Sequence, residues 1–129
     1  MSKLRGPSWA IELPPEWIGE HDDICSTVCH PEGVGVLQIS SYSKDGDVTL
    51  ADLREFAQEH LDGGAKLADA ESGDFWGFTL AFGAEGIFSQ HWYLANSNKA
   101  LFITYNCDEI NLGSELESAK KIVASLEAT

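Results

Sequence analysis

A chain of 129 residues, 43% hydrophobic and 22% charged, has the size of one domain and enough apolar surface to bury a core. That excludes disorder over most of its length. Its 8 Lys and Arg against 21 Asp and Glu leave a net charge of −13, a field that repels phosphate backbones and anionic headgroups and so argues against nucleic acid and membrane surfaces as partners.

The first seven residues, closing on Gly6-Pro7, read as a loose lead-in. Ser8 to Leu13 alternates as a strand ended by Pro14-Pro15, and Ile24 to Cys29 is a second strand stopped by the turn His30-Pro31-Glu32-Gly33. Val34 to Tyr42 is a third, closed by Lys44-Asp45-Gly46-Asp47. A helix then begins at Thr49, with Asp52 at capping-box spacing and Val48 and Leu53 at the positions of a hydrophobic staple. Leu50, Leu53, Phe56, Ala57 and Leu61 form its apolar stripe, and Gly63-Gly64 stops it. Four strands follow, Lys66 to Ala70, Phe75 to Phe82, Ile87 to Ala95 and Ala100 to Cys107, joined by turns at Ser72-Gly73-Asp74, Ala84-Glu85-Gly86 and Asn96-Ser97-Asn98. A second helix starts on the Ser114–Glu117 capping box and buries Leu116, Ala119, Ile122, Val123 and Leu126. The order β-β-β-α-β-β-β-β-α predicts an α+β fold, one antiparallel sheet of about six or seven strands covered by two helices, in a single domain over residues 1–129.

Trp9-Ala10-Ile11-Glu12-Leu13-Pro14-Pro15-Glu16-Trp17 resembles the opening strand and Pro-x-x-Trp-like corner of the PsbP-like superfamily. Val36-Leu37-Gln38-Ile39-Ser40, running into Leu50-Ala51-Asp52-Leu53, extends the resemblance, as do the closing strands and helix. That superfamily includes the photosystem accessory protein, a nuclear-import factor that binds the Ran GTPase, and bacterial relatives such as DcrB-like proteins and Eag-type secretion chaperones. The resemblance implies a fold and a bias toward binding proteins or cofactors. It carries no functional residue to a position here.

The residues that could do chemistry are scattered. Cys25 and Cys29 share a strand face but stand roughly 13 Å apart at ~3.3 Å per residue, too far to chelate one ion or to form a disulfide, and His30 points the other way. Of His21, His30, His60 and His91, the last is the centre of the rival reading, a small enzyme or small-ligand domain. No catalytic residue, metal ligand or cofactor motif is assigned.

The aromatic residues are the better lead. Trp76, Phe78, Leu80 and Phe82 share one strand face, while Trp92 and Tyr93 must point to opposite sides. Trp17, Trp76 and Tyr93 are the expected partner anchors. The acidic groups Glu20 with Asp22 and Asp23, Asp69 with Glu71 and Asp74, and Asp108 with Glu109 are expected in or beside turns. Asp22 and Asp23 are taken as rim charges for a basic partner. The expectation is a non-enzymatic, protein-binding accessory protein, chaperone-like or toxin-neutralising, with an acidic surface and the option of an edge-strand homodimer. The opening Met1–Pro15 segment lacks a signal-peptide core, and no apolar run reaches the ~18 residues of a membrane span. With three sparse cysteines, Cys25, Cys29 and Cys107, the expected location is the cytoplasm.

Overall fold

The computed structural model describes residues 2–22, 25–111 and 113–129. Its elements run β1 (Ser2–Arg5), β2 (Trp9–Leu13), β3 (Ile18–His21), β4 (Ser26–Cys29), β5 (Gly35–Ser43), α1 (Leu50–Asp62), β6 (Lys66–Ser72), β7 (Phe75–Ala84), β8 (Ile87–Asn96), β9 (Lys99–Asp108), α2 (Leu116–Ala124) and β10 (Glu127–Ala128). Seven strands form one sheet in the order β3-β4-β5-β9-β8-β7-β6, and every neighbouring pair in it is antiparallel. The α+β architecture read from the turns is therefore present. Two of those turns show why they work. Glu85 and Gly86 both take positive φ, 54° and 82°, and Gly73 takes φ 61°, the backbone hand that matches the twist of hairpin strands.

Several expectations need correction. A second, three-stranded sheet, β1-β2-β10, holds the segment from Trp9 to Leu13 outside the main sheet. The expected lead-in forms β1, whose Ser2 pairs with Leu13 and Arg5 with Ala10. β3 was not anticipated, and β6 runs on to Ser72. The second helix starts at Leu116 with Glu115 as its N-cap and no side-chain capping bond, so the Ser114 box does not form, and the helix ends at Ala124 with β10 beyond it. The two short exposed strands are held by backbone pairing, so they carry little apolar alternation to betray them.

Alternation along the sheet divides the core in two. Trp92 and Leu94 of β8 join Leu37, Ile39, Leu101 and Ile103 beneath Trp9 and Ile11 of β2 and Ile122 and Val123 of α2. Tyr93 and Ala95, one residue out of phase, join Phe78, Leu80 and Ala100 beneath Leu53 and Ala57 of α1. The sheet is thus covered on both faces, by α1 on one and by β2 with α2 on the other.

The start of α1 follows its sequence closely. Thr49 Oγ1 accepts from Asp52 N at 3.2 Å, and Asp52 Oδ2 accepts from Thr49 N at 2.9 Å. Val48 and Leu53 are both buried, as the staple requires. Leu50 and Phe56, expected in the apolar stripe, are 50% and 43% exposed instead. Phe56 leans along the helix flank against Phe102 and Tyr42, at ring distances of 4.6 and 5.2 Å.

Candidate partner-binding surface

The five residues expected to touch a partner fall in different parts of the molecule. Tyr93 is 7% exposed. It stacks on Phe78 at 5.3 Å and lies 5.7 Å from Phe102 under α1, and burial pushes its phenol pKa up. Tyr93 is core, which corrects its reading as a surface anchor. Trp17 is half-buried against the α2-side core and meets His30 edge-on at 6.0 Å. Asp22 sits in the β3–β4 turn, where its carboxylate accepts from Cys25 N at 2.8 Å and its N–H donates to Cys25 O at 3.0 Å. Asp23 lies outside the described residues. Trp76, 39% exposed on β7, is the expected anchor with the most free surface.

Around Trp76 the sheet margin gathers apolar and acidic groups. Trp76 is directly opposite Glu71 of β6, with Asp69 opposite Phe78 and Leu67 opposite Leu80. Residues paired across strands point to the same face, so Leu67, Asp69, Glu71 and Trp76 all lie on the α1 side. Leu67 is 41% exposed. Asp69 and Glu71, expected in or beside a turn, are both strand residues, Glu71 because β6 extends two positions further than its sequence suggested. Neither belongs to the ion pairs found among the described residues, which join Lys3 to Glu127, His30 to Glu16, Lys44 to Asp52 and Lys120 to Glu117. Asp22 lies at the far edge, since the sheet order puts five inter-strand steps between β3 and β7. At ~4.8 Å per step that is about 24 Å. The two acidic groups do not form one rim.

The surroundings of His91 are mostly aromatic. Its ring stands 4.9 Å from His60 and 5.0 Å from Phe82, edge-on to both, while His60 stacks on Phe82 at 4.6 Å. Its Nδ1 is 3.3 Å from Tyr93 Oη. Burial, with a smaller push from His60, lowers its pKa to about 4. At neutral pH the imidazole is uncharged and serves chiefly as packing at the C-terminal end of α1.

Two arrangements escaped the sequence reading. A cleft of about 370 Å³ opens between the sheets, lined by Arg5, Trp9, His21, Ser26, Ile39 and Ser41 among others. His21 Nδ1 meets Ser26 Oγ there at 2.5 Å. The second is a buried carboxylate. Glu115 accepts from Tyr105 Oη at 3.0 Å, Gly35 N at 3.1 Å and Val34 N at 3.3 Å. Burial first, and Glu115 second, push the Tyr105 pKa far up. The glycines make the approach possible: a Cβ on Gly33 would stand 2.2 Å from Glu115 Oε2, and one on Gly35 2.6 Å from Tyr105 Oη. The Gly33-Val34-Gly35 spacing was the available signal.

This architecture is that of a two-sided, helix-covered antiparallel sheet, and solved structures share it. The solution structure of cyanobacterial PsbP (CyanoP) from Synechocystis sp. PCC 6803 matches with a TM-score of 0.70 at 12% identity, over 99% of this chain and 92% of that one. A crystal structure from Bacteroides thetaiotaomicron VPI-5482 matches with a TM-score of 0.68 at 20% identity, over 94% of this chain. The chain spans 45% of that second protein's length. The fold is PsbP-like. No protein-family model matches the chain, and no curated protein matches it. No helix among the described residues is long and apolar enough to cross a membrane.

Proposed function

We propose that the chain is a non-enzymatic accessory protein that binds a basic protein partner, in the manner of a chaperone or a toxin-neutralising subunit. The observation that carries this reading is the β6–β7 margin, where exposed Trp76 and Leu67 share one sheet face with Asp69 and Glu71. Exposed aromatic and aliphatic groups supply the contact that slows dissociation, and carboxylates around them speed the approach of a cation-rich surface. The net charge of −13 acts in the same sense at longer range.

The test is to titrate the protein with small basic proteins and follow association against salt. Asp69→Asn with Glu71→Asn is expected to slow association at ~0.1 M salt and to matter little at ~1 M, where the Debye length falls to ~3 Å. Trp76→Ala is expected to speed dissociation at either salt concentration. Association indifferent to both changes overturns the proposal. The rival reading, a small enzyme or small-ligand domain, finds less support at His91 than at the Arg5–His21–Ser26 cleft, whose polar groups converge on an open space. Saturable binding of a small carboxylate that Arg5→Ala abolishes would favour it.

A further inference from the structure

We infer that β6 is a strand-addition site. Its outer edge accepts an extended basic segment, which pairs antiparallel as one more strand of the large sheet. This rests on the partner-binding reading above and specifies its mode.

β6 ends the sheet order and, among the described residues, pairs with β7 alone. The pairing runs without interruption from Lys66↔Ala81 to Ser72↔Phe75. Gly73 and Asp74 make a two-residue turn in which Gly73 has φ 61°, so Ser72 and Phe75 form the hydrogen-bonded pair that closes it. Antiparallel bonds alternate from there. Ser72, Ala70 and Ala68 bond inward to β7, while the N–H and C=O groups of Leu67, Asp69 and Glu71 point to the free edge. Lys66, Leu67, Ala68 and Asp69 are consecutive and all exposed, so that stretch is uncovered on its faces as well.

The opposite edge of the same sheet is kept short. β3 has four residues, and Leu4 packs so closely on Gly19 that a Cβ there would stand 2.7 Å from a leucine methyl. β6 has seven residues, with no proline and no bulge. Of the devices that keep edges from pairing at random, it retains charge. That charge is selective. When two β6 strands overlap fully and antiparallel, Asp69 falls opposite Asp69, a repulsive cross-strand pair. A cationic guest reverses the sign. Its residues opposite Glu71, Asp69 and Leu67 follow one another at alternate positions, so the complementary guest reads basic-x-basic-x-apolar from its N-terminus. The apolar group then meets exposed Leu67, while Trp76, opposite Glu71, flanks the basic end of the guest on the same face.

The experiment uses the full chain and the capped peptide Thr-Arg-Thr-Lys-Thr-Val-Thr, read by amide chemical shifts and hydrogen exchange. Binding is expected to protect the amides of Leu67, Asp69 and Glu71. Methylating the peptide nitrogens that face β6 should weaken binding about tenfold or more, because each removes a donor from the new ladder. Asp69→Lys with Glu71→Lys, both at exposed positions, should lose the basic peptide and gain the version with Glu in place of Arg and Lys. Undiminished binding of the methylated peptide overturns strand addition and leaves docking on the acidic margin standing. Shifts confined to the Asp22 turn overturn it too, as does self-association of the free protein through β6. Failure of every basic peptide and protein to bind would instead overturn the partner-binding reading itself.

Discussion

The two helices cover opposite faces of one sheet and are begun in opposite ways. α1 is started by its own residues: Thr49 and Asp52 satisfy each other's backbone, and Lys44 Nζ joins Asp52 at 2.8 Å. The Lys44 contact and the Thr49 backbone hold Asp52 below the usual carboxylate range. α2 begins at Glu115, whose carboxylate is turned away from the helix to bind Val34, Gly35 and Tyr105. The capping box is complete within four consecutive residues, and Lys44 adds to it from just upstream. The Glu115 arrangement needs three separate parts of the chain in place, and in return it ties the β4–β5 loop, β9 and the head of α2 together.

The contrast is broken most severely at Glu115. Glu115→Ala leaves three donors without their acceptor in a buried setting, and a cost of about 3 kcal/mol or more is expected in urea unfolding. Glu115→Gln, which keeps an acceptor oxygen, should lose less, and Tyr105→Phe about 1 kcal/mol. A Glu115→Ala change no costlier than a surface substitution would mean that the carboxylate is not what holds the three segments.

A smaller effect, on the α1 face, comes from pH. The His91 pKa is about 4 in the folded chain against 6.5 for the free side chain. The unfolded chain therefore takes up the proton first as pH falls. Stability from the neutral ring is full above about pH 6.5 and is lost progressively down to about pH 4. The ring is partly open to solvent, so the loss is put at about 1–2 kcal/mol. His91→Phe should flatten that slope between pH 6.5 and 4. Amide exchange at α1 should rise over the same range more than at α2, and equal responses would show that the His60–His91 contact does not govern α1.

Smaller again, Thr49→Ala should cost about 1 kcal/mol. Its effect should add to that of Glu115→Ala, since the sites share no partner. Least costly to stability is labelling of thiols. Cys29 points to the α1 face and is partly exposed, whereas Cys107 is buried in the α2-side core. Cys29 and Cys25 should react with a thiol reagent well before Cys107. Equal rates would mean that the α2 side opens as readily as the α1 side.

The same contrast explains what could be read from the sequence. Thr49, Asp52 and Val48 act within a few residues of one another, and the hairpin turns likewise, so α1 and the β6–β9 meander were legible. Ser114-x-x-Glu117 has the letters of a capping box, but Glu115 has stronger donors far along the chain, and the helix starts one residue from where the pattern put it. Tyr93 looked like an anchor because alternation says which face a residue takes, not what covers that face. The proposed binding margin was half legible. Trp76 and its acidic neighbours were visible, but only the spatial order of strands makes β6 an edge and sets Asp22 far from it.

The place of β9 has a consequence for how the chain folds. Its neighbour β8 leads into it through a two-residue turn, but its other neighbour, β5, lies before α1 and three further strands, with Ser43 meeting Lys99 and Gly35 meeting Cys107. The β6–β9 meander can form from nearby residues alone, whereas β5, which meets β4 locally, has to close a long loop before it gains a single bond to β9. Folding dominated by such distant pairings takes milliseconds to seconds. During that interval the inner edge of β9 is the longest unpaired strand in the molecule, and substitutions in β5 at Leu37 or Ile39 should lengthen the interval in which it is open to other chains.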